Sequence, residues 1–115
     1  MAGASFDVGQ WRDVAVVTFG GDIDVGVAAE LGRRLARLQR ETPVFVDLWG
    51  VGSVDSLCLS VLRAAKRRAD DTGNDFAVIA PRRGTAAQQL EATGLDHELP
   101  VFETKHDAAA ALRRV

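Results

Sequence analysis

The residues of this chain that could carry chemistry concentrate in residues 44–59, where an apolar run gives way to Asp55 and Ser56. Residues 44–48 (Val-Phe-Val-Asp-Leu) predict a buried strand, and the apolar spacing after residue 55 predicts a helix. A serine in the first turn of a helix lies among unpaired backbone N–H groups, at the positive end of the helix dipole. Because a phosphate is tolerated at such a place without loss of the helix, Ser56 is a candidate phosphorylation site. The spacing fits a serine that only caps the helix equally well.

Two acidic residues are predicted to lie near this serine. Asp24 and Asp55 both fall at the carboxyl edge of the predicted sheet, where α/β folds bind ligands. Two carboxylates beside a hydroxyl resemble an acid–base pair. Helix capping is the simpler role for Asp55, and loop ordering or partner contact is the simpler role for Asp24. Since the sequence shows no nucleophile–base set and no metal-ligand spacing, we predict no catalytic residue and no metal site.

Two further residues near Ser56 have more than one interpretation. Trp49 precedes the serine in a predicted loop, where it would either anchor a partner or cover the end of the core. Cys58 is the single cysteine, which excludes an internal disulfide. Because no basic residue neighbours it in sequence, we expect Cys58 to be a small, semi-buried apolar residue and not a reactive thiol.

Alternating strand and helix patterns surround these residues and must position them. The predicted strands cover residues 5–10, 13–19, 43–48, 75–80 and 98–102, and three predicted helices cover about 24–40, 85–93 and 104–115. A further helix is predicted to begin at a cap formed by Asp55 or Ser56 and to end at a C-terminal cap at Gly73. The order ββαβαβαβα implies right-handed crossovers and parallel strand pairs. We therefore predict an α/β fold, a single domain over residues 1–115, with a mixed, mostly parallel sheet of about five strands and about four helices.

Composition and charge exclude several classes of protein. Hydrophobic residues make up 47% of the chain, which is too many for a disordered protein. The net charge of −2 lacks the basic excess of a general nucleic-acid or membrane-surface binder. Basic clusters at 33–40 and 63–68 fall on polar helix faces and are interpreted as solvated surface. With no bilayer-spanning segment and no signal-peptide pattern, we expect a cytoplasmic protein without nucleic-acid or membrane partners.

Three separated segments resemble the STAS domain family and, within it, the anti-sigma factor antagonists. Residues 21–24 (Gly-Asp-Ile-Asp) are similar to the family's Gly-Glu-Leu-Asp after the second strand. Residues 46–59 resemble the family's next strand and its Asp-Ser-Ser-Gly-Leu signature, which reads Asp-Ser-Leu-Cys-Leu here. Residues 90–112 are similar to the family's C-terminal helix, strand and helix. The likeness covers nearly the whole chain, and the fold it implies agrees with the predicted order of elements.

The resemblance implies a regulatory role in transcription and not an enzymatic one. Family members bind a serine kinase that acts as an anti-sigma factor, and so release the sigma factor that it holds. The kinase, which carries ATP or ADP, phosphorylates the serine after the signature aspartate, and a serine phosphatase reverses the modification. By position that serine is Ser56. Asp47 matches another acidic position of the family.

The same resemblance gives an expected set of partner contacts and no cofactor for the chain itself. The residues expected to contact a partner are Asp22, Asp24, Trp49, Asp55, Ser56, Leu57 and Cys58. A homodimer is left open.

The sequence departs from the family signature at two adjacent positions. Leu57 and Cys58 stand where the family has its second serine and its glycine. A glycine in the first turn lets the backbone or nucleotide of a partner approach closely, and we expect the Cys58 side chain to fill that space. A non-phosphorylated STAS scaffold, or a docking subunit of a larger signalling assembly, is therefore kept as the alternative. A response-regulator-like phosphoacceptor fits less well, because the second predicted strand is followed by Gly-Gly-Asp and lacks the paired acids that this chemistry needs.

Overall fold

The computed structural model describes residues 5–23 and 25–112, which form one sheet with helices on both of its faces. The elements are β1 (Ser5–Trp11), β2 (Val14–Ile23), α1 (Val25–Leu38), β3 (Val44–Val54), α2 (Ser56–Thr72), β4 (Phe76–Ile79), α3 (Thr85–Ala92), α4 (Leu95–Glu98), β5 (Val101–Phe102) and α5 (Lys105–Leu112). The predicted α/β class is confirmed, with five helices in this part of the chain where four were predicted.

The five strands lie side by side in the order in which they occur along the chain. β1 pairs antiparallel with β2 through a tight turn at Arg12, whose φ of 57° is left-handed. β2, β3, β4 and β5 pair in parallel, as the alternation of strands and helices predicts. Because β2 and β3 run in the same direction, their carboxyl ends meet at one edge of the sheet. This edge holds Asp22 and the start of α2.

The two faces of the sheet are covered unequally. The larger core packs α1, α2 and α3 against one face through buried residues such as Leu31, Leu62 and Leu90. The smaller core packs α5 against the other face and includes Phe45 and Ala108. Burial of apolar side chains on both faces stabilises the sheet at about 25 cal/mol per Å² removed from water. The two cores therefore pack against opposite faces of the same sheet.

The third strand extends further than the sequence predicts. The expected strand ends at residue 48, but β3 continues to Val54 and stays paired with β2 through two register shifts. A side chain at Gly50 would place its Cβ 2.9 Å from the carbonyl oxygen of Phe19, so only glycine allows the two backbones to approach this closely. Trp49, predicted to lie in a loop, is therefore a strand residue.

The fifth strand is shorter than predicted and is preceded by a short helix. Residues 98–102 read as a strand, but only Val101–Phe102 pairs with β4. Upstream, Gly94 has a left-handed φ of 77° and Leu95 is buried, and the N–H of Leu99 donates to the Leu95 carbonyl at 2.8 Å. Four helical residues are too few to produce a periodic sequence pattern, which is why α4 is missed.

Candidate functional site

The start of α2 is organised by Asp55. This residue has an extended backbone, and its Oδ1 accepts a hydrogen bond from the Leu57 N–H at 2.7 Å, which makes it the N-cap. Its own N–H donates to the Ile23 carbonyl at 3.0 Å and so ties the helix start to the end of β2. Ser56 is the first residue of the helix and is exposed. The capping role falls to the aspartate, and the serine is accessible from solvent.

Neighbouring residues of this first turn face opposite environments. Leu57 is 40% exposed, whereas Cys58 is fully buried and belongs to the larger core together with Leu59. Successive helical residues are rotated by about 100°, so one face of the turn is open while the other packs on the sheet. A buried side chain cannot touch a partner, and the expected contact set is corrected by removing Cys58. Its thiol also does not fill the outward space that a glycine would leave free.

Burial also determines the chemistry of the thiol. It raises the pKa of Cys58 to about 12, and the nearby negative charge of Asp55 acts in the same direction. The thiol is therefore protonated at neutral pH and lacks the thiolate needed for nucleophilic or redox reactions. The expected apolar role of Cys58 agrees with this environment.

An exposed carboxylate at the end of β2 contacts the segment before Ser56. Asp22 accepts a hydrogen bond from the Ser53 hydroxyl at 3.1 Å, and the two residues are paired across β2 and β3. A Cβ at Gly52 would lie 2.6 Å from Asp22 Oδ1, so the absence of a side chain there makes room for the carboxylate. Asp24, predicted to lie beside Ser56, falls outside the described residues.

Trp49 is exposed but is anchored away from Ser56. It is 52% exposed, and its indole Nε1–H donates to the carbonyl of Glu103 at 2.7 Å, just before α5. Its backbone N–H donates to Asp47 Oδ1 at 2.9 Å, which gives Asp47 a local role. Trp49 lines a cavity of about 200 Å³ together with Ile79 of the smaller core. The structure therefore places Trp49 on the α5 side of the sheet, whereas α2 covers the other side.

One residue of this site has no counterpart in the sequence-based set. Gln89 of α3 makes two hydrogen bonds to the backbone of Val54, which is two residues before Ser56. The sequence holds a weak signal for this role. Gln89 lies three residues after Ala86 and directly before Leu90, both buried, so a polar side chain is set beside the apolar stripe of the helix.

The part of the chain that the structure describes contains neither a metal-binding cluster nor a membrane-spanning helix. Residues 5–23 and 25–112 contain no group of three or more His, Cys, Asp or Glu side chains that could hold a metal ion. In the same part of the chain, no helix has both the length and the apolar character required to cross a bilayer.

Comparison with known proteins identifies the family. The sequence matches the family model of the STAS domain over residues 5–108. The chain belongs to the STAS domain family. The predicted resemblance is thereby confirmed, and the family match covers both β2 and the start of α2.

This STAS domain has relatives that are anti-sigma factor antagonists. It is 30% identical over 108 residues to the anti-sigma-F factor antagonist RsfB of Mycobacterium tuberculosis, covering 92% of this chain and 87% of that protein. The crystal structure of an anti-sigma factor antagonist from Mycobacterium paratuberculosis is 26% identical, with a TM-score of 0.84, and the match covers 97% of this chain and 96% of that one.

A more distant structure extends the likeness of fold. The anti-sigma factor antagonist SpoIIAA, solved in its unphosphorylated form, has a TM-score of 0.70 at 12% identity and covers 96% of this chain and all of that one (100%). At this identity the match concerns the fold alone. The identity to RsfB makes this STAS domain a homologue of an anti-sigma factor antagonist.

Proposed function

We propose that this STAS domain binds an anti-sigma factor serine kinase in the cytoplasm and so releases the sigma factor that the kinase holds. Phosphorylation of Ser56 by the ATP-bearing kinase ends this binding, and a serine phosphatase restores it. The observation that carries the proposal is the exposed serine at the first position of α2, in a chain homologous to RsfB.

The surface around Ser56 suits a protein partner. Leu57 is an exposed leucine beside the serine, and Asp22 is an exposed carboxylate near the same edge of the sheet. An apolar side chain bordered by charged and hydroxyl groups is the usual composition of a small binding surface. Trp49 belongs to a second exposed region, on the α5 side of the sheet. A large partner would contact this region together with the surface around Ser56.

The covalent step needs only one acceptor from this chain. The Ser56 Oγ attacks the γ-phosphorus of ATP held by the kinase, and the bond from that phosphorus to the β–γ bridging oxygen breaks. ADP leaves, and a base of the kinase accepts the hydroxyl proton. The product carries about −1.5 to −2 additional charges at neutral pH. At the N-terminus of α2 this charge is locally favourable by roughly 0.3–1 kcal/mol, so the fold is expected to survive the modification.

Charge repulsion supplies enough free energy to act as a switch. A phosphate on Ser56 would face the nucleotide phosphates and the acidic groups of the docked kinase, and like charges at an interface cost several kcal/mol. A loss of about 2.7 kcal/mol weakens binding a hundredfold. The modification can therefore separate the two proteins without any refolding of this domain.

The alternative of a scaffold without phosphorylation has one specific observation in its favour. Leu57 occupies the position of the second signature serine and is exposed, so the outer face of the first turn is more apolar than the family signature implies. A kinase assay followed by mass spectrometry separates the two functions. Transfer of phosphate to Ser56 supports the switch, and a chain that binds a partner but never accepts phosphate supports the scaffold.

The binding test compares two substitutions at the serine. The kinase is first recovered from native cell extract on the immobilised wild-type chain and then purified. In a titration with this kinase and ADP, Ser56→Ala is expected to bind with a Kd close to that of the wild type. Ser56→Asp is expected to weaken binding by about tenfold or more, because it places a negative charge at the same residue.

A second serine on the same helix provides the control. Ser60 is exposed one turn further along α2, where its hydroxyl donates to the Ser56 carbonyl at 3.4 Å. Ser60→Asp therefore adds the same charge on the same helix face but outside the first turn. We expect it to weaken binding much less than Ser56→Asp does. Equal Kd values for Ser56→Ala and Ser56→Asp would refute the switch.

A further inference from the structure

Within residues 5–23 and 25–112, the last part of β3 has a neighbouring strand on one edge only. β4 pairs with residues Val44 to Asp47, and beyond that point β3 pairs with β2 alone. The N–H of Asp55 bonds to Ile23 on the β2 side, so by the alternation of a strand the main-chain groups of Val54 point to the opposite edge. Val54 is only 4% exposed, and buried main-chain groups require hydrogen-bond partners.

Gln89 supplies both of these partners. Its Oε1 accepts from the Val54 N–H at 2.8 Å, and its Nε2 donates to the Val54 carbonyl at 2.7 Å. A carboxamide carries the same donor and acceptor as a peptide group, so the side chain stands where the next strand would be. α3 itself is held by the buried side chains of Ala86 and Leu90, which gives Gln89 a fixed base.

We infer that Gln89 is a positioning residue for Ser56. The chain leading into α2 is held on both sides, by Gln89 at Val54 and by Ile23 at Asp55, before the helix starts. Asp55 can cap the helix only when its own backbone is fixed, and the cap in turn sets the direction of the first turn. The Ser56 hydroxyl therefore takes its position from α3 as well as from α2.

The consequence for phosphorylation rests on the proposed function. Phosphoryl transfer requires the acceptor oxygen to lie in line with the bond that breaks, and a misplacement of about 1 Å can cost up to about a hundredfold in rate. A loosened start of α2 would leave the binding surface in place but would misalign the acceptor. Loss of Gln89 is thus expected to lower kcat for modification of Ser56 more than it changes KM.

The first test needs no partner. Gln89→Met keeps the length of the side chain and removes both hydrogen bonds, and Gln88→Met makes the same change at an exposed neighbour on α3. Amide hydrogen exchange is followed by NMR on the full chain. We expect exchange at Leu57 to become about tenfold faster or more in Gln89→Met and to stay unchanged in Gln88→Met.

Leu57 is the informative amide because it bonds to Asp55 and not to Gln89. Faster exchange at Val54 alone, with Leu57 as protected as in the wild type, would overturn the inference. If Gln89→Met does not fold, Gln89→Glu keeps an acceptor for the Val54 N–H, and it is compared with Gln88→Glu by the same criterion.

The second test uses the anti-sigma factor kinase recovered on the wild-type chain, together with ATP. For Gln89→Met we expect kcat for Ser56 to fall about tenfold with KM within about twofold, while Gln88→Met behaves as the wild type. An unchanged kcat would overturn the role in phosphorylation. If the wild-type Ser56 accepts no phosphate, the proposed function fails, and hydrogen exchange at Leu57 still decides whether Gln89 holds the start of α2.

Discussion

At the scale of residues, the first turn of α2 places exposed side chains directly beside a buried one. Ser56 and Leu57 are exposed, whereas Cys58 belongs to the larger core. The exposed pair can be changed by modification or by evolution of a partner surface with little effect on packing. Cys58 cannot, because its volume and its protonation state are both fixed by the surrounding core. Ser56, the proposed phosphorylation site, therefore lies only two positions from a residue that the core holds in place.

The burial of Cys58 predicts a pH dependence of stability. Its pKa is raised from 9.0 to about 12 in the folded chain, so the folded state holds this proton more tightly than the unfolded state. The protonated thiol contributes fully to the free energy of unfolding at pH values below its pKa in the unfolded chain. This contribution is lost as the pH rises toward the pKa of the thiol in the folded chain. We expect the wild type to lose up to about 1.4 kcal/mol per pH unit more than Cys58→Ala above a pH of about 9.

The measurement is urea unfolding of both proteins at several pH values from about 8 to about 10.5, with the difference in free energy of unfolding plotted against pH. Cys58→Ala lacks the thiol but keeps every other titratable group, so the difference between the two proteins isolates the titration of Cys58. Parallel curves for the two proteins would show that the thiol titrates with the same pKa in both states.

The types and spacing of residues make part of the site predictable. An aspartate and a serine between a strand and an apolar helical pattern indicate a cap and an exposed first turn, and Asp55 does form the cap. The burial of Cys58 is harder to predict, because a one-residue uncertainty in the cap rotates every side chain by about 100°. Only the observed cap shows that Leu57 faces outward and Cys58 faces inward.

At the scale of elements, β3 is built as two unlike halves. Its first half lies between β2 and β4, and its second half is held by β2 and by Gln89. The sequence predicts the first half from its continuous apolar run. The second half reads as a loop because Gly50 and Gly52 are typical of turns, whereas here they allow close approach to Phe19 and Asp22. Tertiary contact, which local patterns do not encode, determines that this segment is a strand.

A buried glutamine joins the end of α1 to the second half of α2. Gln39 follows directly after α1, donates through Nε2 to the Ala65 carbonyl at 2.7 Å and accepts from Arg68 Nε at 3.1 Å. Gln39→Leu keeps the packing volume but removes both bonds, and we expect it to lower the free energy of unfolding by about 1–3 kcal/mol. Chemical denaturation measures this change.

Arg40→Ala is the matched control, since Arg40 is exposed and immediately follows the glutamine. Its effect is expected to stay within about 0.5 kcal/mol. A Gln39→Leu protein as stable as the wild type would mean that the two hydrogen bonds add nothing beyond what an apolar side chain provides.

At the scale of the whole molecule, one sheet separates two cores of different size. The radius of gyration is 12.8 Å, close to the value of about 13 Å expected for a single domain of this length. Trp11 contacts His106 with ring centroids 5.1 Å apart and Phe45 at 6.3 Å, which places it in the smaller core near α5. Trp49 lies on the same side, so both tryptophans report on the α5 face.

The order of elements explains why this overall architecture could be predicted. Alternating strand and helix patterns fix the parallel sheet, and the apolar run in β2 indicates burial on both faces. The unequal cover of the two faces could not be predicted in the same way. It depends on α5, whose alanine-rich sequence has no clear apolar stripe and buries only Ala108.

Because the two cores share their strands, we expect them to unfold together. Leu62 is fully buried in the larger core, and Leu62→Ala should lower the free energy of unfolding by about 2–5 kcal/mol. Tryptophan fluorescence reports on the opposite face of the sheet, yet its midpoint in denaturant should shift as far as that of far-UV circular dichroism. Leu57→Ala replaces an exposed leucine on the same helix and should change the free energy of unfolding measured by either probe by no more than about 0.5 kcal/mol. A fluorescence transition that precedes the loss of secondary structure in Leu62→Ala would show instead that the α5 face opens as a separate unit.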